Sequence, residues 1–373
     1  FDSRAYEGDA GGAVSTGEVN TFEFVQAYAK VRLGEAGPKG AGTELTLGRY
    51  TMDLGSRRLV ARNNFRNTTN AFTGAKLDWK GTSRASLTAF YSLPQNRLPD
   101  DQASILDNET RFDRERWEQR FWGLFYARPA LPWGGAGEAF VFGLKEKDAA
   151  NFRSRNRDIV TLGGRLYRDP SPGAYDYEFE GGWQTGETRA STSPTDTRDL
   201  DVDAWYLHAE VARTFDVAWS PRVSLEYDYA SGDKDPSDGK SQRFDSLYGA
   251  RRPDFGPSGI YGPLGRSNLS SPGVRIEVKP DRRWDGFVFY RALWLDTARD
   301  SFANTGVRDP SGRSGKFAGH QVEARARYWI VPKQVRLDFG GAYLAAGRFL
   351  DRAPNATRQG DTLYGYADVT VTF

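Results

Sequence analysis

The 373-residue chain has no cysteine, one methionine and two histidines. Disulfide frameworks and cysteine metal sites are therefore absent, and the G-x-S-x-G and H-E-x-x-H patterns of hydrolases are missing as well. No apolar run approaches the roughly 18 residues of a membrane-spanning helix, and residues 139–144 are typical of the longest runs. The formal charge of +2, from 51 basic and 49 acidic residues, is far from the one-sided charge of a nucleic-acid binder. We therefore expect no enzyme, no helical membrane protein and no nucleic-acid partner.

Aromatic residues make up 14% of the chain and glycine 41 positions, yet the mean hydropathy is -0.65. Residues 361–373 alternate between two faces and end on the ring of Phe373, which is typical of a strand. The same alternation recurs along the chain. It predicts fifteen strands, at residues 21–33, 43–51, 75–80, 85–92, 119–128, 138–145, 158–168, 175–184, 204–213, 222–229, 273–279, 286–296, 320–330, 334–344 and 361–373.

The connections between these strands alternate between short and long without a slip. Outer-membrane barrels pair short periplasmic turns with long external loops in this way. The sequence therefore predicts an all-β fold, a transmembrane antiparallel up-and-down β-barrel in the bacterial outer membrane, with residues 1–373 as one domain. Residues 1–19 become an external loop. Because such barrels have an even number of strands, we expect one or three N-terminal strands to be missing, so that the intact barrel has about 16 or 18.

One face of each predicted strand is apolar and suited to lipid, whereas the other carries charged side chains. An arginine facing lipid in mid-strand costs about 2–4 kcal/mol, so these side chains belong in an aqueous lumen. The candidate residues of a substrate path are Arg49, Arg165, Asp228, Arg275, Arg291, Glu323, Arg325, Arg327 and Arg336. They are either ion pairs that stiffen the wall or a series of weak sites that attracts and passes an anion. Arg325 and Arg327, two apart on one face, are the best candidates for the second role.

Several segments resemble the alginate export family of outer-membrane barrels. They are YDYASGDKDPSDGKSQRFDSLYG at 227–249, GIYGPLGRSNLSSPGVRIEVKP at 259–280, RRLVARNNFRNTTNAFTGAKL at 57–77, EARARYWIVP at 323–332 and GRFLDRAPNAT at 347–357. The resemblance implies a barrel of about 18 strands, hence three missing here, whose arginine-lined channel carries an acidic exopolysaccharide to the cell surface. The residues that it carries over are Arg49, Arg275, Arg325 and Arg327, with Asp228 as a counter-charge. Unlike the alginate exporter, this sequence shows no long periplasmic turn that could plug the channel.

Other sequence features suggest possible ligands and partners. Asp233, Asp235 and Asp238 resemble part of a calcium loop, but the spacing is wrong and Phe244 stands at the twelfth position, so only a surface calcium held by loop carboxylates is possible. No other cofactor is indicated. We expect a monomer whose partners are an acidic polysaccharide, outer-membrane lipid and periplasmic export proteins.

Three functions remain open at this point: export of an acidic, alginate-like polysaccharide; an anion-selective porin for small acidic solutes; and a barrel enzyme or adhesion scaffold. A continuous arginine path with flexible loops favours the first. A narrow inward-folded loop favours the second, and residues 230–272 are long enough to form one. A Ser-His pair near the lipid face would indicate the third.

Overall fold

A computed structural model describes residues 2–5, 14–34, 41–63, 67–132, 134–258, 261–356 and 360–372. The terminal ring of Phe373, most of the turn predicted between the first two strands, and parts of the predicted external loop at residues 1–19 lie outside this range. Three of the segments that resemble the alginate export family, at 57–77, 259–280 and 347–357, are described only in part.

Fifteen strands pair in chain order to form one antiparallel sheet, as predicted. They are β1 (Ala27–Gly34), β2 (Gly42–Tyr50), β3 (Phe72–Lys80), β4 (Ser86–Pro94), β5 (Gln119–Arg128), β6 (Ala136–Glu146), β7 (Asp158–Arg168), β8 (Tyr175–Thr188), β9 (Leu200–Thr214), β10 (Arg222–Ala230), β12 (Leu269–Val278), β13 (Trp284–Trp294), β14 (Phe317–Val331), β15 (Val335–Ala346) and β16 (Thr362–Val371). The two-residue β11 (Lys240–Ser241) pairs in parallel with β9. Three short helices lie in the long loops: α1 (Gln102–Leu106), α2 (Arg252–Phe255) and α3 (Arg348–Arg352).

The sheet is not closed, because among the described strands β1 pairs only with β2 and β16 only with β15. The number of strands in the intact barrel therefore stays a prediction. None of the described helices is long and apolar enough to cross a membrane.

The first strand begins six residues later than predicted, because the preceding residues pack against a loop instead of pairing in the sheet. Phe22 has a positive φ of 56°, which breaks an extended strand. The rings of Phe22 and Phe24 instead meet Phe112 of the β4–β5 loop at centroid distances of 6.1 Å each. The alternation at residues 21–26 therefore serves loop packing rather than sheet pairing.

Apolar side chains cover the outer face of the sheet, at the predicted parity. Leu162 and Leu166 of β7 are exposed there, and Val160 shares their side. Charged residues bound this apolar stretch at its two ends, Asp158 and Arg168. Ten residues of strand span about 33 Å, or about 25 Å across a membrane at a tilt near 40°, which matches the apolar band of an outer-membrane barrel.

Two long loops fold against the inner face of the sheet. Residues 51–71, between β2 and β3, pair with residues 231–268, between β10 and β12: Val60 and Tyr248 form a parallel bridge, and the Ala61 amide donates to the Tyr248 carbonyl at 3.1 Å. The Tyr248 ring lies 5.2 Å from Phe72 and 4.9 Å from Phe121 of the wall. The inward-folded loop that the sequence allowed is therefore present.

Candidate functional site

Strand register brings arginines of the predicted path to one part of the inner face. On β14, Arg325 lies opposite Phe287 of β13, and the next inward position, Arg327, lies opposite Asp285. Arg275 of β12 lies opposite Phe289 of β13. Arg336 of β15 lies opposite Trp329 of β14. We call Arg275, Arg325, Arg327 and Arg336 the basic wall.

The basic wall and the two inward loops enclose a cavity of about 270 Å³, which we call the arginine pocket. Its lining includes the four arginines of the basic wall, Arg57 from the β2–β3 loop and Arg252 from the β10–β12 loop. Among the described lining residues, Glu323 supplies the single carboxylate. Six guanidinium groups around one small polar space make a site for anions, because arginine binds carboxylates through charge-assisted, often bidentate, hydrogen bonds.

Aromatic rings hold several of these guanidinium groups against the wall. The guanidinium carbon of Arg275 lies 3.9 Å from the ring centroid of Phe287, and that of Arg325 lies 4.7 Å from the same ring. The guanidinium carbon of Arg336 lies 5.4 Å from the ring centroid of Trp329. Cation–π contacts of this kind are worth roughly 0.5–2 kcal/mol each, so they keep the cations in place without neutralising them.

Carboxylates neutralise the basic wall only in part. The side chain of Arg275 pairs with Glu277 at 2.8 Å, and Arg327 pairs with Asp285 at 2.7 Å. Arg325 lies 4.0 Å from Asp285, at the limit of an ion pair. Asp338 lies 3.8 Å from Arg336 and 3.6 Å from Arg252. Glu277, Asp285 and Asp338 therefore share five of the six arginines that line the pocket, which leaves a positive surplus.

A second cavity of about 550 Å³ lies on the side of the short turns and shares Phe287, Arg325 and Arg327 with the arginine pocket. Its lining also includes Pro170, Ser171 and Pro172 of the β7–β8 turn. The same two arginines of β14 thus face both the turn side and the space under the inward loops.

The wall formed by β8, β9 and β10 has the opposite character. Its inner face carries a set of carboxylates: Asp176, Glu178, Glu180, Glu210, Glu226 and Asp228. Arg222 pairs with Asp176, Glu210 and Glu277, the last at 2.9 Å. The inner face therefore has one basic and one acidic surface, although the net charge of the chain is near zero.

Arg58, Asp254 and Arg266 join the two inward loops to each other and to this acidic wall, and we call them the loop latch. Arg58 donates to both carboxylate oxygens of Asp254 at 3.0 Å and pairs with Glu180 at 2.7 Å and with Glu178. Arg266 also pairs with Asp254. Burial alone would lower the pKa of Arg58, but Glu180 and Glu178 hold it above its usual value.

Three other predicted path residues lie in two separate places. Arg291 and Asp228 are buried under the inward loops, 3.4 Å apart, and Arg291 also donates to the backbone carbonyl of Asp254. Arg165 lies on the acidic side, paired with Glu178 at 2.9 Å. These residues have the structural surroundings of ion pairs that stiffen the wall, whereas those of the basic wall line an accessible cavity.

The placement of Arg49 in the lumen is wrong. Arg49 shares its side of β2 with Leu45 and the exposed Leu47, which places it on the outer face. It lies at the loop end of the strand, and its guanidinium pairs with Glu23 at 2.5 Å and Glu115 at 3.4 Å. These loop carboxylates offset the cost of an outward-facing charge.

The pattern of alternation could not find Arg57, Arg252 or Phe287 as parts of the site. The two arginines lie in irregular loops, and an inward phenylalanine breaks the rule that the inner face is polar. The sequence features that could have indicated these two arginines are the length of the two loops and their arginine content.

The acidic loop that suggested calcium has other hydrogen bonds. Asp235 accepts from Ser237, and Asp238 accepts from the amide of Lys240 at 2.7 Å. In the described part of the chain, no group of three or more histidine or acidic side chains could hold a metal ion. A calcium ion at this loop stays a prediction.

Comparison with known proteins adds two findings. A family model described as alginate export matches residues 1–362. Solved structures with a similar fold include Pseudomonas aeruginosa OccK8 (OprE), with 13% identity, a TM-score of 0.53, and coverage of 88% of this chain and 78% of that one. A second is P. aeruginosa OccK2 (OpdF) in complex with glucuronate, with 12% identity, a TM-score of 0.53, and coverage of 89% and 79%.

A third is Acinetobacter baumannii OccAB1, with 14% identity, a TM-score of 0.51, and coverage of 88% and 74%. Comparison with curated proteins finds no significant match. The likeness to the three structures confirms the predicted barrel fold.

Proposed function

The chain belongs to the alginate export family, and we propose that it passes uronate-type acidic carbohydrates, as single sugar acids or short chains, through its arginine pocket. Membership of this family and the likeness to outer-membrane channels support a transport channel of the bacterial outer membrane. The observation that carries the finer proposal is the arginine pocket itself, where six arginines from wall and loops surround a space with one lining carboxylate.

The chemistry of the pocket suits sugar acids better than simple anions. A uronate presents one carboxylate for arginine and several hydroxyl groups that can donate to carboxylates, and the channel has unlike charges on its two inner walls. A solved neighbour, OccK2, is in complex with glucuronate, and alginate is itself a polymer of uronic acids. Both comparisons therefore point to the same class of solute, although neither fixes its size.

The size of the pocket favours small solutes in the state described. Its volume of about 270 Å³ lies just below the range of about 300–1,000 Å³ for sites that enclose a drug-sized ligand. Both inward loops contribute to its lining, so a polymer could thread this space only if the loops moved. Several partly neutralised arginines also favour passage, because transport requires release as well as binding.

Reversal potentials in planar bilayers across a salt gradient test this proposal. The wild-type channel should prefer anions, and glucuronate should block the ion current at concentrations at which glucose does not. The double variant Arg325→Gln/Arg327→Gln should lose most of the anion preference and of the block. Arg213→Gln is the matched control, because Arg213 lies on the outer face of β9 and stacks on Tyr175. Cation preference in the wild type would refute the proposal.

Export of an acidic polysaccharide is the second candidate, and family membership is the observation that favours it. A uronate polymer would meet Arg325 and Arg327 in succession, each contact charge-assisted and quickly exchanged with water. Replacing both by glutamate should reverse the local potential. The secreted polymer from cells that carry this double variant should then fall, while heat-modifiable gel mobility confirms a folded barrel. Normal secretion from a folded variant would rule out this role for the two arginines.

A further inference from the structure

A basic site lies on the outer face of the sheet, at the ends of the strands that carry the long loops. Arg120 of β5 lies directly opposite Lys145 of β6. Both share their side with lipid-facing residues, because Leu124 of β5 and Val141 of β6 follow at the same parity. We call Arg120 and Lys145 the outer basic pair. It has no part in the arginine pocket, which lies on the other face.

The outer basic pair has an electrostatic cost that the chain does not fully offset. Opposed side chains on antiparallel strands have Cβ atoms about 5 Å apart, and like charges at such positions are destabilising. Lys145 pairs with Asp158, but its side chain is 53% exposed, and exposed pairs of this kind contribute about 0–1 kcal/mol. Arg120 donates through Nε to the neutral carbonyl of Trp117 at 2.7 Å, and no carboxylate among the described residues forms an ion pair with it.

Position along the strand places the pair at the boundary between lipid and water. Long loops mark the external side of such barrels, and β5 begins and β6 ends at loops of that kind. Trp117, 66% exposed just before β5, is the type of side chain that concentrates at membrane interfaces. At the same level, the outward positions of the next three strands are acidic, namely Asp158, Glu187 and Asp201. The positive charge is therefore local rather than a general property of the rim.

We propose that Arg120, Lys145 and Trp117 form a binding site for the phosphate groups of a glycolipid in the external leaflet. A phosphate between the two cations accepts charge-assisted hydrogen bonds from both and removes the repulsion between them. The indole lies against the sugar and acyl boundary of the same lipid. The ligand is thus a phosphorylated lipid headgroup, held on the outer face and independent of the transported solute.

The test measures the temperature at which the purified barrel in detergent loses its heat-modifiable gel mobility, with and without added lipid. A bis-phosphorylated glucosamine lipid should raise this temperature for the wild type, whereas its dephosphorylated form and inorganic phosphate should not. In Arg120→Gln/Lys145→Gln, the lipid concentration for half of the effect should rise about tenfold or more. The control Arg128→Gln/Arg168→Gln also removes two outward-facing charges, at the other end of β5 and β7, and should respond like the wild type.

Three results would overturn the proposal: an unchanged response in Arg120→Gln/Lys145→Gln, an equal loss in the control, or an equal effect of the dephosphorylated lipid. An effect of inorganic phosphate alone would also contradict it, because it would indicate a small-anion site. If the glutamine variant fails to fold, the exchange Arg120→Lys/Lys145→Arg keeps both charges and should keep the response. Loss of the response in that folded exchange variant would again count against the site.

Discussion

Asp254 is the residue whose replacement tests most directly whether the loop latch sets the size of the channel. Its carboxylate receives two hydrogen bonds of 3.0 Å from Arg58 and one from Arg266. In Asp254→Asn, Arg58 still pairs with Glu178 and Glu180, but Arg266 loses its carboxylate partner. Its remaining backbone acceptors in the described part of the chain are the carbonyls of Arg58 and Ala250. A buried charge left without compensation costs about 3–5 kcal/mol.

The lower end of that range applies, because only one of the two arginines loses its counter-charge. About 3 kcal/mol corresponds to roughly a hundredfold change in an equilibrium constant, here the equilibrium between loops packed on the wall and loops released from it. We expect single-channel recordings of Asp254→Asn to show more frequent openings of large conductance. Asp235→Asn is the control, because Asp235 lies on the same loop but its carboxylate accepts hydrogen bonds only from Ser237 among the described residues.

A cross-link between the loops should have the reverse effect. Val60 and Tyr248 are bridge partners, and the chain has no native cysteine, so Val60→Cys/Tyr248→Cys offers a single possible disulfide. Large openings should be rare in the oxidised protein and return on reduction, and comparison of the two redox states cancels the loss of the Tyr248 ring. A folded Asp254→Asn barrel with wild-type conductance, together with a redox-insensitive cysteine variant, would refute the latch.

Three further predictions follow from contacts at the wall and loops. Phe287→Leu removes the ring on which two arginines of the basic wall stack, and reversal potentials should show a few-fold lower anion preference; unchanged selectivity would contradict the stacking role. A Cβ at Gly249 would lie 1.8 Å from the Arg58 carbonyl oxygen, so Gly249→Ala should separate the loops and raise the frequency of large openings, and an unaltered trace would count against close loop pairing. Burial, with the nearby Glu23, raises the pKa of Asp113 to about 6. Because the folded state then binds the proton of Asp113 more tightly, the packing of residues 14–24 should weaken as pH rises from about 4 to 7. Hydrogen exchange, corrected for its intrinsic rate, should become faster over this pH range, and Asp113→Asn should remove the dependence.

The strands could be predicted from the sequence because each one meets two different solvents. Lipid on one side and water or polar protein on the other impose a period of two, and the boundaries of β5 and β7 match the prediction at both ends. The prediction failed at residues 21–26, where aromatic side chains alternate for a different reason. Phe22 and Phe24 pack on a loop, and alternation alone does not distinguish a loop contact from a sheet face.

The site could be predicted only for residues on regular strands. The structure has Arg275, Arg325 and Arg327 on the inner face, as their parity indicates. Arg49 has the parity of the outward Leu45 and Leu47, and its placement in the lumen rested instead on its charge and on the family resemblance. Glu23 and Glu115 neutralise this outward charge near the strand end. The loop residues of the pocket have no periodicity from which a direction could be read. Their contribution depends on long-range contacts between loops that lie nearly two hundred residues apart, as the 196-residue separation of Arg58 and Asp254 illustrates.

The arginine pocket and the loop latch occupy the same two loops, and this has a consequence for the two candidate functions. Arg57 of the pocket precedes Arg58 of the latch, and Arg252 stands two residues before Asp254. On the proposed function, a small sugar acid that bridges Arg57, Arg252 and the basic wall would bind only while the loops are packed inward, and it would then stabilise that state by mass action. A polymer requires the loops to be released. Small uronates should therefore suppress the large openings that we expect from Asp254→Asn, whereas a polymer should favour them.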